Sequence, residues 1–188
     1  MSTAPTRQDR VRQVVVTLSE IACVVGTLFG IGVFGTRVEE SSGGALAADA
    51  TLLAPAGPAF SIWSVIYVGL GAYTIWQWFP RNATTDRTRR TGWLVAGSML
   101  LNATWLLVTQ QGWIWASVVV IALLMAVLAT ILVRLGAHAP RTRLERVVVD
   151  GTLGLYAGWV AVATCANVTA ALADSGVEVA APAADWIG

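Results

Sequence analysis

The sequence predicts an all-α integral membrane protein, a bundle of five transmembrane helices, and three observations carry that expectation. Of the 188 residues, 56% are hydrophobic and 12% charged. That is about half the charged share of soluble domains, so a water-soluble fold would have nowhere to put its apolar surface. The apolar residues gather into five runs, each long enough to cross a hydrocarbon core ~30 Å thick, which takes ~20 helical residues. The 12 cations, every one an arginine, are sorted between alternate connections.

The runs cover residues 14–35, 59–79, 91–110, 113–134 and 147–172. The third is the most polar, interrupted by Asn102 and Gln110, and Gln110-Gln111-Gly112 reads as a tight turn between spans. The first run has 22 residues, longer than the 7–15 of a secretory signal core, so it is read as a span. Arg7, Arg10 and Arg12 lie in the tail 1–13. Arg81, Arg87, Arg89 and Arg90 follow the second run, and Arg134, Arg141, Arg143 and Arg146 follow the fourth. Five crossings put all of these on one side, which the positive-inside rule makes cytoplasmic. The amino terminus is then inside and the tail 173–188 outside. Arg37 stands alone on the far side among Glu39, Glu40, Asp49, Asp174, Glu178 and Asp185.

A net charge of +1 gives no basic footprint for nucleic acid. Cys23 and Cys165 fall inside apolar runs and imply no disulfide framework. The partners expected are lipid and a small hydrophobic ligand.

Helix rise converts position into depth. At 1.5 Å per residue, Trp63 and Trp105 lie roughly 6–8 Å from the outer ends of their helices, Tyr67 and Asn102 about 12 Å, and Asn167 about 8 Å. Trp159 is deeper, near mid-membrane. The spacings Trp63/Tyr67, Asn102/Trp105 and Trp159/Ala163/Asn167 put each set on one helix face, and Gly71 and Ala163 are small enough to leave room beside large rings. An aromatic-walled cavity with a few amides suits a flat, largely apolar ligand. The same residues also suit plain packing, because amides tie helices together in lipid and aromatic rings gather at interfaces. Spacing alone does not decide between the two. Trp76, Trp78, Trp93, Trp113, Trp115 and Trp186 are read as interfacial belt.

The 23 residues 36–58 are long for a connector, where 2–8 is usual. They lie on the side where the aromatic cluster opens, and we read them as a lid. Glu20 is the one carboxylate well inside a span, a functional candidate by default. Gly26-x3-Gly30 and Gly154-x3-Gly158 allow close helix approach, within the bundle or in a homodimer.

Three segments carry a family resemblance. Trp63-Ser-Val-Ile-Tyr67-Val-Gly-Leu-Gly71 fits W-x3-Y-x3-G, Leu101-Asn102-Ala-Thr-Trp105 fits L-N-x-x-W, and Tyr156-Ala-Gly-Trp159-Val-Ala-Val-Ala163-Thr-Cys-Ala-Asn167 fits Y-x2-W-x3-A-x3-N. In this order the sequence resembles the TspO/MBR family, the tryptophan-rich sensory proteins related to the mitochondrial translocator protein, over residues 14–172. It departs from the family pattern ahead of the second span (Ala54-Pro55-Ala56-Gly57-Pro58), at Leu155 where a proline is usual, and at Val108-Thr109-Gln110 where an aromatic pair is usual. It reads as a divergent branch.

The resemblance implies a five-helix bundle that binds porphyrins, sterols or similar flat molecules under the first loop, for sensing or transport, in a bacterial inner (plasma) membrane. The matching positions are Trp63, Tyr67, Asn102, Trp105, Trp159 and Asn167. It also leaves open a porphyrin-degrading enzyme using the same pocket. No acid–base or nucleophile pair is legible, so binding ranks above catalysis, with a structural subunit lacking a small ligand as a further alternative. No cofactor or metal site is expected. His138 lies in the arginine-rich connection, and with so few iron ligands near the cluster a metal-free porphyrin is favoured over haem.

Overall fold

The computed structural model describes residues 4–30, 33–34, 38–40, 44, 46–47 and 54–177. Five long helices dominate. They are α1 (Arg7–Gly30), α2 (Ile62–Trp76, entered through a 3₁₀ turn at Gly57–Ser61), α3 (Asp86–Gln110), α4 (Ile114–Gly136) and α5 (Thr152–Asp174). All five segments are long and apolar enough to cross a membrane, the last counted from Arg143. Most of the proposed lid, 36–58, lies outside the described residues.

At the arginine-rich end the helices start before the apolar runs do, and the reason is capping. Thr6 and Asp9 form a reciprocal box: the Asp9 N–H donates to Thr6 Oγ1 (3.2 Å) and the Thr6 N–H to the Asp9 carboxylate (3.0 Å). Thr85 Oγ1 accepts from the Thr88 N–H (3.1 Å), and Thr142 Oγ1 from the Glu145 N–H (3.0 Å). Each threonine satisfies a first-turn donor. Apolar runs therefore mark where lipid begins, while caps mark where the helices begin. At the other end α3 turns into α4 through Gly112, whose φ of 73° is left-handed backbone that glycine adopts without a Cβ clash.

α1 lies along α3, α3 along α4 and α4 along α5, while α2 closes the ring between α1 and α5. Small residues permit the closest approaches. A Cβ on Gly26 would stand 3.1 Å from Ala103 Cβ, and one on Gly69 2.6 Å from Thr152 Oγ1. Gly26 and Gly30 thus serve packing of α1 on α3, whereas a Cβ on Gly154 or Gly158 would meet nothing. Ile66, Leu70, Met99, Leu124, Leu128, Leu153 and Tyr156 fill the interior. Val65, Val68, Val119, Val133 and Val162 stay exposed on the outside, as lipid-facing residues do.

The three arginine-rich segments meet at one end. Asp9 pairs with Arg12 (2.9 Å) and Arg89 (2.7 Å), and Arg12 also donates to the Ala83 carbonyl. Arg87 pairs with Glu145 (3.0 Å) and with Asp150. Glu145 and Asp150 are five residues apart, and the turn from Arg146 to Gly151 is a π turn. Its i→i+5 bonding brings the two carboxylates to one guanidinium. Trp78, Trp93, Trp113 and Trp115 are exposed as belt residues should be, but Trp76 is buried, stacked on Tyr73 with centroids 6.2 Å apart. Trp186 lies outside the described residues.

Candidate functional site

The six residues singled out by the sequence fall into two groups. Trp63, Trp105, Trp159 and Asn167 line one cleft in the outer half of the bundle, together with Phe60, Ala163 and Ala166. Val38, Leu46, Ala54 and Pro55 cover it from the connection between α1 and α2. Counted to its open mouth, the cleft measures about 460 Å³, yet the centre of a water molecule has only about 30 Å³ in which to move. Tyr67 and Asn102 do not line it. They stand beneath it as support.

The rings form one connected set. Trp63 stacks on Tyr67 (centroids 5.5 Å apart, planes 16° from parallel) and meets Trp159 edge-on at 6.3 Å. Phe60 meets the other side of Trp159 edge-on at 5.9 Å, and Tyr156 contacts Trp63 from below at 6.1 Å. Offset stacks and T-shaped contacts are what the ring quadrupole favours, at about 0.5–1.5 kcal/mol per pair beyond burial. The i, i+4 spacing of Trp63 and Tyr67 on α2 produces the stack directly.

The two amides occupy separate networks. Asn102 Nδ2 donates to the Tyr67 hydroxyl (3.1 Å) and approaches Cys23 Sγ (3.4 Å), joining α3 to α2 and α1. Asn167 Oδ1 accepts from the Trp105 indole N–H (2.8 Å) and from Ser117 (3.2 Å), while its Nδ2 lies 2.9 Å from the Ser117 hydroxyl. Asn167 thereby joins α5 to α3 and α4. Common depth did bring both amides into the interior, but onto different sides of it. Gly71 also differs from expectation: a Cβ there would lie 3.8 Å from Glu20 Oε1, so it makes room for the acid on α1 rather than for a ring.

Some polar capacity stays unused. The Trp159 indole N–H, Asn102 Oδ1 and Glu20 Oε2 are buried without a hydrogen-bond partner among the described residues. Such groups cost roughly 1–3 kcal/mol each, and the Trp159 N–H belongs to a residue of the cleft wall. Ser117 and Phe60 were missed by the sequence reading. Ser117 is one hydroxyl in a long apolar helix, and Phe60 lies ahead of the recognisable motif. Cys23 and Cys165 are both free thiols.

A model of the TSPO-like protein family matches residues 13–186, which takes in α1 from Gln13 onward, the other four helices and every residue of the cleft. No curated protein and no solved structure matches the chain.

Proposed function

The chain belongs to the TSPO-like protein family, and from that premise we propose that it binds a flat hydrophobic ligand in the outer cleft, to sense or move it. The observation that carries this reading is the Trp159 indole N–H, buried in a wall of aromatic rings without a partner among the described residues. A tetrapyrrole or a sterol-like molecule offers a large apolar face for Trp63, Trp105 and Phe60 and an acceptor for that N–H. Sites for such ligands usually occupy about 300–1,000 Å³. The ligand therefore enters only when Val38, Leu46, Ala54 and Pro55 move off the cleft, which is the lid action expected of residues 36–58. Among the described residues the lining holds no histidine, cysteine, methionine or tyrosine, the side chains that bind haem iron. Metal-free porphyrin held by stacking is accordingly the preferred tetrapyrrole. We assign the protein to a bacterial inner membrane, arginine-rich end inward.

The test is a titration of the detergent-solubilised protein with protoporphyrin IX, followed by tryptophan fluorescence. Saturable quenching at micromolar concentration or below, lost in Trp63→Leu/Trp105→Leu, is the expected outcome. Quenching that persists in the variant would move the ligand elsewhere. The nearly filled interior favours a second reading, a structural membrane subunit with no small ligand. Absence of saturable quenching by porphyrin and by a fluorescent sterol alike would select it.

A further inference from the structure

At the arginine-rich end, far from the aromatic cleft, a second hollow lies between the end of α2 and the start of the α5 segment. It is lined by Trp76, Arg81, Asn82, Arg141, Thr142, Leu144 and Glu145, with about 300 Å³ of free space. Its two arginines come from connections 60 residues apart and are held together by the chain itself, since Arg141 donates to the Arg81 carbonyl (3.0 Å). The Arg81 guanidinium has no partner among the described residues. The Thr142 oxygen accepts the Glu145 N–H (3.0 Å), which leaves its hydrogen free to donate outward. The one carboxylate in the lining is already engaged: Glu145 accepts from Arg87 (3.0 Å) and from the Arg141 backbone N–H (2.9 Å), with Arg141 Nε a further 3.6 Å contact. An incoming anion therefore meets guanidinium and hydroxyl donors rather than an unpaired negative charge.

We propose that this hollow binds the phosphate of an anionic phospholipid in the leaflet facing the arginine-rich end, with Arg81 and Arg141 as its cationic clasp. Planar guanidinium forks match phosphate oxygens in a way that ammonium groups do not. Basic pockets between helices at the cytoplasmic face are a known way to hold such headgroups. A lipid fits better than free phosphate because apolar surface adjoins the donors. Leu144, itself in the lining, is 57% exposed, and Phe79 and Val147, each two residues along the chain from a lining residue, are 53% and 68% exposed. The apolar runs end at residue 79 and resume at 147, so the donors sit at headgroup level with acyl chains alongside those three side chains.

Full-length protein in nanodiscs of phosphatidylcholine doped with phosphatidylglycerol, released and weighed by native mass spectrometry, tests this. Phosphatidylglycerol adducts should exceed their share of the bilayer, and Arg81→Gln/Arg141→Gln should cut that enrichment roughly tenfold. The charge-matched Arg10→Gln/Arg90→Gln should leave it within about twofold, since neither side chain lines the hollow. Arg81→Gln alone removes no internal contact of the side chain and should still lower the enrichment severalfold. Equal loss in both double variants, or loss in neither, overturns the proposal. Saturable binding of inorganic phosphate to lipid-depleted protein, abolished by Arg81→Gln/Arg141→Gln and accompanied by no phosphatidylglycerol enrichment, would assign the hollow to free phosphate and overturns it as well.

Discussion

The two ends of the bundle join distant helices with different chemistry. At the arginine-rich end the joints are ion pairs: Asp9 with Arg12 and Arg89, and Arg87 with Glu145 and Asp150. In the outer half they are neutral: Asn102 with Tyr67, and Asn167 with Trp105 and Ser117. At the arginine-rich end each buried charge faces a counter-charge, Arg12 beside Asp9 and Arg87 beside Glu145. Buried polar atoms without a partner among the described residues occur at both ends, Arg12 Nε and Asp150 Oδ2 at the charged one, Trp159 Nε1 and Asn102 Oδ1 in the outer half. The comparison sets ionic fastening at one end against neutral joints around the aromatic cleft at the other.

Breaking the charged end should have the largest effect. Asp9→Ala leaves Arg12, only 2% exposed, with one backbone acceptor and no counter-charge. Stranding one partner of a buried pair costs about 3–5 kcal/mol, and the loss should appear as a lower unfolding midpoint in detergent followed by tryptophan fluorescence. A change no bigger than that of Arg10→Gln would show that the network is solvated and contributes little.

The neutral joints should break more gently, and unequally. Asn167→Leu removes the acceptor of the Trp105 N–H and a partner of Ser117, leaving one or two buried donors unpaired at about 1–3 kcal/mol each. Asn102→Leu removes a donor to the Tyr67 hydroxyl and to Cys23 Sγ, and also deletes an acceptor without a partner among the described residues, so about 1 kcal/mol is expected. Paired melting curves of the two variants sharpen the comparison. Equal losses would mean that the Oδ1 of Asn102 is satisfied after all, by water or ligand.

Much of this was legible in the sequence, for reasons that also set the limit. Five spans could be read because lipid, unlike water, demands an apolar exterior, as Val68 and Val133 show. The helix starts beyond the apolar runs are not legible in hydropathy, which is blind to caps such as Thr6-x-x-Asp9. Depth along a helix follows from residue number, and it puts Trp63, Trp105 and Asn167 close to one level, with Trp159 deeper. Azimuth does not follow from depth, so it could not separate the amide of Asn102 from that of Asn167. The pairing of Glu145 and Asp150 with one arginine was out of reach. Regular α geometry at 100° per residue would set them roughly 140° apart, and only the π turn closes that gap.

The smallest change in stability should come from the residue on which the proposed function most depends. Trp159→Phe keeps an aromatic ring between Phe60 and Trp63 while deleting an N–H that has no partner among the described residues. Loss of ring volume and relief of the orphan donor oppose each other, at about 1 kcal/mol each, so the unfolding midpoint should barely move. Affinity for protoporphyrin IX should nevertheless fall roughly fivefold, the worth of one net hydrogen bond. A midpoint that drops as far as that of Asn167→Leu would identify Trp159 as packing. An unchanged midpoint with unchanged affinity would remove its N–H from the ligand's contacts and leave stacking on Trp63 and Trp105 to hold the ligand alone.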